Sequence, residues 1–406
     1  MTRLDPSSHG WMHAPATLKV LTALGGEVRF VGGAVRNGLI GRPVEDVDLA
    51  TPLKPETVIK KLEAAGIKAV PTGLAHGTVT AVADGKPYEI TTLRRDLATD
   101  GRHAVVAFGT SWRKDAARRD FTMNALYADA EGEIYDYAGG VDDLAAGRVR
   151  FVGDPAVRIA EDYLRILRLF RFYAWYGREP LEAAALAAVE KARAGLDALS
   201  GERIQKEMLK LLAAPDPAPA LKAMDETGVL EALKLDGRRI RPLARLAEID
   251  RRHKFLPDPL LRLAVFRPDA ATLSDRWRLA NVQRKRLEKI AGAAAKITVK
   301  LKKRETRRIL YRIGVPLFID LVYLAWADDA DPSHDDVWGR LLERGDFYLP
   351  ARFPFTGRDA LAAGVPEGPK VAGVLALVED WWVENDFPAD KALLAEKLEA
   401  AAKTLA

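Results

Sequence analysis

Glu27-Val28-Arg29-Phe30-Val31-Gly32-Gly33-Ala34-Val35-Arg36-Asn37 and, shortly after it, Val44-Glu45-Asp46-Val47-Asp48-Leu49-Ala50-Thr51 are the stretches from which the fold is read. The first opens as a buried-strand candidate, Glu27 to Val31, apolar and partly β-branched. It runs into two glycines and then into residues suited to a short helix ending near Gly38 or Gly41. A strand, a double glycine and a helix N-terminus together form a phosphate cradle. Glycine lets the backbone approach a ligand, and the helix end offers unpaired N–H groups and partial positive charge. Arg36 adds a fixed charge within reach of a triphosphate. Neither the dinucleotide-binding glycine spacing nor the Walker spacing fits, since no Gly-Lys-Ser/Thr follows.

The second stretch reads as a strand, and residues two apart on a strand share a face. Asp46 and Asp48 then project side by side, where repulsion opposes double ionisation unless a cation lies between them. Such a pair is a ready ligand set for Mg²⁺, which takes oxygen ligands and keeps positions open for substrate phosphates. Alone, each stretch has a plainer reading, a tight turn with a solvated arginine or an Asp-x-Asp in a surface turn. Together they suggest nucleotidyl transfer.

Around this nucleus the pattern is mixed α/β. Pro55 to Ala65 reads as a helix opened by proline and closed by Gly66. Strands are expected at Ile67–Val70, Thr78–Ala83 and Tyr88–Thr92, with Asp84-Gly85 as a hairpin turn between the last two. Glu89 alternates with Tyr88 and Ile90 and so faces away from them; it is either a third metal-site carboxylate or an exposed strand glutamate. Leu93 to Asp115 reads as a long polar loop holding Arg94, Arg95, Asp96, Asp100, Gly101, Arg102 and His103, with a strand-like run at Ala104–Phe108. His103 is expected to be a surface residue. Arg118 to Asn124 then gathers two cations, a carboxylate and an amide, able to hold phosphate and ribose hydroxyls; Asp120 alone could equally cap a helix.

Pro155 to Trp175 reads as one amphipathic helix. At about 100° per residue, Ile159, Tyr163, Ile166, Leu167, Phe170 and Ala174 form one stripe, with Arg158, Glu161, Arg165, Arg168 and Arg171 opposite and Asp162 at the boundary. A charged face is commonly just solvated, but three arginines at successive i+3 steps favour an anionic ligand. Beyond Leu199 the pattern is helical: Ser200 is placed to cap a helix, Pro215, Pro217 and Pro219 mark a break, and basic clusters recur at Arg238–Arg241, Arg251–Lys254, Arg284–Lys289 and Lys300–Arg308. These would suit a nucleic-acid backbone or simply solvent. His334-Asp335 lacks the companion motifs of a His-Asp phosphohydrolase.

The 406 residues exceed one ordinary core, and the net charge of +5 is compatible with contact to RNA without requiring it. No cysteine is present, which excludes disulfides and thiolate metal sites and fits a cytoplasmic protein. No apolar run is long enough to span a bilayer, and Met1 to Ala16 is expected to be a loose leader.

Gly32-Gly33-Ala34-Val35-Arg36-Asn37, Asp46 to Thr51, Arg118-Arg119-Asp120-Phe121-Thr122-Met123-Asn124-Ala125, Glu161-Asp162 with Arg165, Arg168 and Arg171, and Glu202-Arg203-Ile204-Gln205-Lys206-Glu207 follow one another in order. With these motifs the chain resembles the class II tRNA nucleotidyltransferases, the CCA-adding enzymes and bacterial poly(A) polymerases, over roughly residues 25–212. The resemblance implies an α/β (α+β) nucleotidyltransferase head with a small mixed sheet at 17–150. An all-helical neck at 151–213 and a tRNA-binding body and tail at 214–406 would follow.

It further implies template-independent addition of C, C and A to tRNA lacking its 3′ CCA, from CTP and ATP. Two Mg²⁺ ions would be held by Asp46 and Asp48, catalytic together with Glu89, and the triphosphate would lie on Gly32, Gly33 and Arg36. Arg119, Asp120 and Asn124 would contact the nucleotide and its sugar. Asp162 and Arg165 would read the edge of the incoming base, with Arg168 and Arg171 steadying the helix or the phosphates. The family's flexible loop, needed for the terminal A, would correspond to the segment after Leu93. A poly(A) polymerase shares this head, and a non-catalytic RNA-binding protein is the alternative of another class; no protein partner is implied.

Overall fold

This computed structural model describes residues 3–99 and 104–405. The chain divides into two compact units, one of residues 1–240, 257–259 and 273–279, the other of residues 241–256, 260–272 and 280–406.

The first unit begins with α1 (Pro15–Leu24), β1 (Arg29–Val31), α2 (Gly33–Leu39), β2 (Asp48–Thr51) and α3 (Pro55–Ala64). There follow β3 (Lys68–Gly73), β4 (Thr78–Ala83), β5 (Lys86–Thr92), β6 (Arg94–Thr99), β7 (Ala104–Phe108), α4 (Trp112–Ala117), β8 (Leu126–Ala128) and β9 (Ile134–Asp136). Seven strands form one mixed sheet in the order β3-β4-β5-β2-β1-β8-β9. Only β2 and β5 pair in parallel within it, and this puts Asp48 opposite Glu89. β1 lies antiparallel to both β2 and β8. The alternation read in the sequence is realised: Val79, Ala81, Tyr88 and Ile90 are buried while Glu89 is exposed. Asp84 and Gly85 turn the β4–β5 hairpin with φ of 50° and 76°, as a type I′ turn requires.

Three expectations are corrected here. The strand expected from Val44 starts only at Asp48, because neither β1 nor β5 offers a ladder partner before that residue. The two-residue alternation therefore does not by itself align Asp46 with Asp48. The polar loop expected after Leu93 is instead a hairpin of β6 and β7, Arg94 facing Phe108 and Thr99 facing Ala104; a strand-like run such as 104–108 needs a partner for its backbone groups. Asp100, Gly101, Arg102 and His103 lie outside the described residues. The loose leader is in fact docked from Arg3 onward. Leu4 and Met12 are buried, and Leu4 N donates to Gly132 O at 2.9 Å. Gly132, with φ 87°, is where a Cβ would meet that Leu4 carbonyl at 2.0 Å.

The sheet is followed by α5 (Gly140–Ala146), α6 (Pro155–Glu161), α7 (Leu164–Tyr176), α8 (Ala183–Ala192) and α9 (Gly201–Leu212). The single helix expected from Pro155 to Trp175 is broken at Asp162, which is extended at φ −159° and ψ 108°. Its Oδ1 accepts the Leu164 N–H at 3.0 Å, so the aspartate competes with the helix backbone and restarts a second helix. The break shifts the apolar stripe: Leu164, Leu169 and Phe172 join Ile166, Leu167 and Phe170 in the core, while Tyr163 and Ala174 are only half-buried. α7 packs along α9, whose apolar face holds Ile204, Met208 and Leu211. Ser200 stands at the N-cap of α9 without a side-chain bond to it.

The second unit has helices and no strand among its described residues, with a core around Ile249, Phe318, Trp326 and Trp338. Several of its basic residues tie the fold together. Arg262 is fully buried against Asp250 at 2.8 Å, Arg286 holds Asp320 at 2.6 Å, and Arg245 and Arg252 converge on Asp335. Asp335 also accepts from Trp326 Nε1, while His334 Nδ1 lies 2.7 Å from Asp329. His334-Asp335 is thus a structural junction. Among the described residues no helix is long and apolar enough to cross a membrane.

Candidate active site

Gly32 leaves β1 with φ 66° and ψ −115°, a conformation that glycine adopts and side-chain-bearing residues avoid, and its carbonyl accepts from Arg36 N at 2.9 Å. α2 therefore starts directly beneath an open cleft of about 510 Å³. Gly33, Arg36, Asp46, Asp48 and Arg171 line that cleft, with Phe172, Trp175 and Tyr176 as an aromatic wall. Gly32, Glu89, Arg119, Asp120, Asn124, Asp162, Arg165 and Arg168 do not line it.

Asp48, at the start of β2, is half-buried, and Asp46 is exposed on the segment before it. Burial pushes the Asp48 carboxyl up to about 6; Glu89 and Asp46 push the same way, and Arg119 pulls back. Three carboxylates thus feel one another. Among the described residues no group of three or more His, Asp or Glu is arranged as a closed metal cage. The donor set is of the other kind, two aspartate oxygens beside an open cleft. That suits Mg²⁺, which keeps several waters and completes its shell with substrate phosphate.

Behind the cleft Arg36, Asn124, Asp120 and Arg168 form one hydrogen-bonded chain. Buried Arg36 donates from Nη1 to Asn124 Oδ1 at 2.5 Å and from Nε and Nη2 to Asn37 Oδ1. Asn124 donates to Asp120 Oδ1 at 3.1 Å, and Arg168 donates from Nε to Asp120 Oδ2 at 2.7 Å. Burial opposes the Asp120 charge, but Arg168 and hydrogen bonds from Asn124 and Phe121 outweigh it and hold the carboxyl at about 2. Arg171 lies 2.7 Å from Glu207, close as an ion pair yet not aligned as a hydrogen bond. The arginine face of α7 is accordingly paired, not merely solvated.

Arg119 is held by Asp115 at 3.0 Å and by the Tyr127 hydroxyl at 3.1 Å. Asp162 and Arg165 sit together at the α6–α7 junction. Asp162 Oδ2 pairs with Arg203 at 2.6 Å, and Arg165 bonds to Glu161 and to the Arg158 carbonyl.

Residues 28–150 match the family described as Poly A polymerase head domain, and residues 180–236 match the probable RNA and SrmB-binding site of polymerase A. The mitochondrial CCA tRNA nucleotidyltransferase 1 of Danio rerio is 34% identical over 379 residues, covering 90% of this chain and 85% of the relative. The chain belongs to the CCA tRNA nucleotidyltransferase family. The CCA-adding enzyme of Streptococcus gordonii is likewise 34% identical, over 97% of this chain and all of that protein. The structure of the Bacillus stearothermophilus CCA-adding enzyme in complex with CTP superposes with a TM-score of 0.77 at 29% identity, covering 96% of this chain and 98% of that one. The Thermotoga maritima CCA-adding enzyme complexed with tRNA shares the fold at a TM-score of 0.69 and 19% identity, over 98% and 96% of the two chains.

In this member of the CCA tRNA nucleotidyltransferase family, sequence reasoning missed several supports of the site. Asp115, buried near the end of α4 and four residues before Arg119, which lies just beyond that helix, could have been found from i,i+4 spacing. Glu207 was in view as part of a motif, but its seat between Arg168 and Arg171 depends on α9 packing along α7. Tyr127 reaches Asp115 at 2.7 Å only because β8 lies beside α4, and no local pattern announces that.

Proposed function

We propose that this protein adds C, C and A in turn to the 3′ end of tRNA from CTP and ATP without a nucleic-acid template. The observation that carries this is the meeting of Asp46 and Asp48 with Arg36, Arg171 and the α2 N-terminus in one cleft. In the reaction the tRNA 3′ oxygen bonds to the α-phosphorus as the bond to the α–β bridging oxygen breaks. Pyrophosphate leaves with that electron pair, and the hydroxyl proton is lost. Mg²⁺ bound by Asp46 and Asp48, with Glu89 as the third carboxylate, would supply charge stabilisation for the attacking and leaving oxygens.

The chain's own residues do the rest. Gly32, Gly33 and Arg36 receive phosphate at the start of α2, and Arg119, Asp120 and Asn124 offer the nucleotide and its ribose a pre-formed set of donors and acceptors. Asp162 can accept from an exocyclic amine, and Arg165 can donate to a ring nitrogen or carbonyl. C and A both carry that amine, whereas U and G present a carbonyl there. For this pairing Asp162 exchanges its bond to Arg203, and Arg165 its bond to Glu161, for the base edge. Residues 17–150 act as the head, 151–213 as the base-reading neck, and the remainder as the tRNA-binding body and tail. The place of action is the cytoplasm, although vertebrate relatives are named as mitochondrial.

The test is direct. The protein is incubated with Mg²⁺ and a tRNA lacking its 3′ CCA, with each nucleoside triphosphate supplied in turn. Extension by C, C and A that then stops is the expected outcome. Long A tails would indicate a poly(A) polymerase, and no extension a non-catalytic RNA-binding protein.

A further inference from the structure

Four cations line the cleft, Arg36, Arg42, Arg171 and Lys210, and they differ in what neutralises them. Arg36 is taken up by Asn37 and Asn124, and Arg171 by Glu207. Arg42 donates only to the Trp175 carbonyl, at 2.9 Å, and lies 4.7 Å above the Tyr176 ring. Lys210 has no carboxylate partner among the described residues. Arg42 and Lys210 therefore face the cleft without an ion-pair partner among the described residues.

Their electrostatics fit that picture. Partial burial of this largely exposed lysine, then the neighbouring cations Arg171 and Lys206, weaken the hold of Lys210 on its proton, against the smaller pull of Glu207 and Asp46. Burial likewise lowers Arg36; Tyr176 and Asp120 oppose the shift, and Arg171 adds to it. Partly buried cations set beside other cations favour an anion between them. The cluster is also tied together by contacts of its own. Trp175 Nε1 donates to the Lys210 carbonyl at 2.7 Å, tying the end of α7 to the end of α9. The Tyr176 ring is flanked by the Arg36 and Arg42 guanidiniums at 4.3 and 4.7 Å.

Position along α7 gives the anion its identity. The proposed base readers stand at the start of this helix, and Trp175 and Tyr176 at its end, about 15 Å further on at 1.5 Å per residue. Arg168 and Arg171 lie between. A triphosphate whose base meets Asp162 and Arg165 and whose inner phosphates pass Arg171 directs its outer phosphates toward Arg42 and Lys210.

We propose that Lys210 and Arg42 hold the β- and γ-phosphates of the incoming nucleotide, and then the departing pyrophosphate, at the α7–α9 end of the cleft. This rests on the nucleotidyl-transfer reading of the same cleft. It leaves the opposite side of the α-phosphorus, where an in-line attacking oxygen must stand, for the RNA.

Lys210→Met removes one charge from an exposed side chain and opens no cavity in the core. The constants for CTP, ATP and tRNA are compared with wild type, together with binding of inorganic pyrophosphate by calorimetry. The expected result is a rise of roughly tenfold in KM for CTP and for ATP by the same factor, as the removal of one charge-assisted hydrogen bond predicts. Pyrophosphate binding should weaken in parallel, with KM for tRNA within about twofold of wild type and an unchanged thermal midpoint. Lys210→Arg should restore most of the affinity, and Arg42→Lys should fall between.

A raised KM for tRNA with unaltered nucleotide constants would mean that these cations grip RNA phosphate instead, and would overturn the proposal. Unchanged pyrophosphate binding would overturn it as well. Because pyrophosphate binding is read without turnover, this outcome stays separate from a wild-type protein that fails to extend tRNA, which would sink the function itself.

Discussion

Asp48 and Asp120 belong to the same unit and flank the same chemistry, yet their surroundings treat them in opposite ways. Asp48 has carboxylates for neighbours, Glu89 across the β2–β5 ladder and Asp46 before it, and burial with their repulsion moves its carboxyl up to about 6. Asp120 is more enclosed, yet Arg168, Asn124 and the Phe121 N–H hold it at about 2. The comparison separates two jobs. A carboxylate already satisfied by its own chain serves to orient other groups. A carboxylate left among like charges would be relieved by a cation arriving from outside.

The sharpest way to break this contrast is Asp48→Ala. If Asp48 is a metal ligand, its removal costs several kcal/mol of transition-state stabilisation, and about 4 kcal/mol corresponds to a rate loss on the order of 10³-fold. Nucleotide incorporation should fall by that factor or more while tRNA binding stays nearly intact. The metal-free variant should also be no less stable than wild type, because a repelled charge has been deleted. Retained incorporation would refute the metal role.

A pH titration of stability probes both aspartates in one experiment. In chelated protein an unfolded Asp48 ionises near 3.8 and the folded one only near 6, so at pH 7 the fold bears the cost of an unwelcome charge. Lowering the pH from 7 to 5 removes about half of that cost, and stability should rise by about 1.4 kcal/mol, given about 1.4 kcal/mol per pKa unit, with most of the rest recovered on going to pH 4. Asp120 acts in the reverse sense. Its folded value lies below its unfolded one, so its contribution is complete above about pH 4 and is lost as the pH falls toward 2. Urea midpoints with a chelator should therefore pass through a maximum near pH 4, and added Mg²⁺ should flatten the rise between 7 and 5. A chelated protein whose stability is flat from pH 7 to 5 would remove the distinction.

The two regions also differ in how legible they were. The cleft edge was readable because its parts are local: a glycine pair between strand and helix, and two aspartates with one residue between them. Even so, the strand begins only at Asp48, since register with β1 and β5 decides where a ladder starts. The network was half-readable. Arg119, Asp120 and Asn124 were visible as a cluster, but Asp120 meets Arg168 across 48 residues and Arg36 meets Asn124 across 88. Those partners are set by how α7 and α2 dock on the sheet, which no window of sequence contains. The β6–β7 hairpin escaped for a different reason, since a polar composition resembles a loop whatever its backbone does.

Asp162 stands between the two regions in kind, and so offers the finest test. It has structural work, capping Leu164 and pairing with Arg203, and a proposed chemical role at the base edge. Asp162→Asn keeps an oxygen for the cap but gives up the negative charge and presents an N–H₂ donor where the carboxylate only accepts. A donor there suits the carbonyl of U or G, so discrimination against those two nucleotides should weaken by roughly tenfold, about 1.4 kcal/mol, at a nearly unchanged thermal midpoint. Asp162→Ala deletes the cap as well and should add a stability loss of about 1 kcal/mol. Misincorporation that rises in the asparagine variant without loss of stability identifies a base reader. If selectivity holds in both variants and only stability falls in alanine, the aspartate belongs with Asp120, a residue whose charge is spent inside the fold.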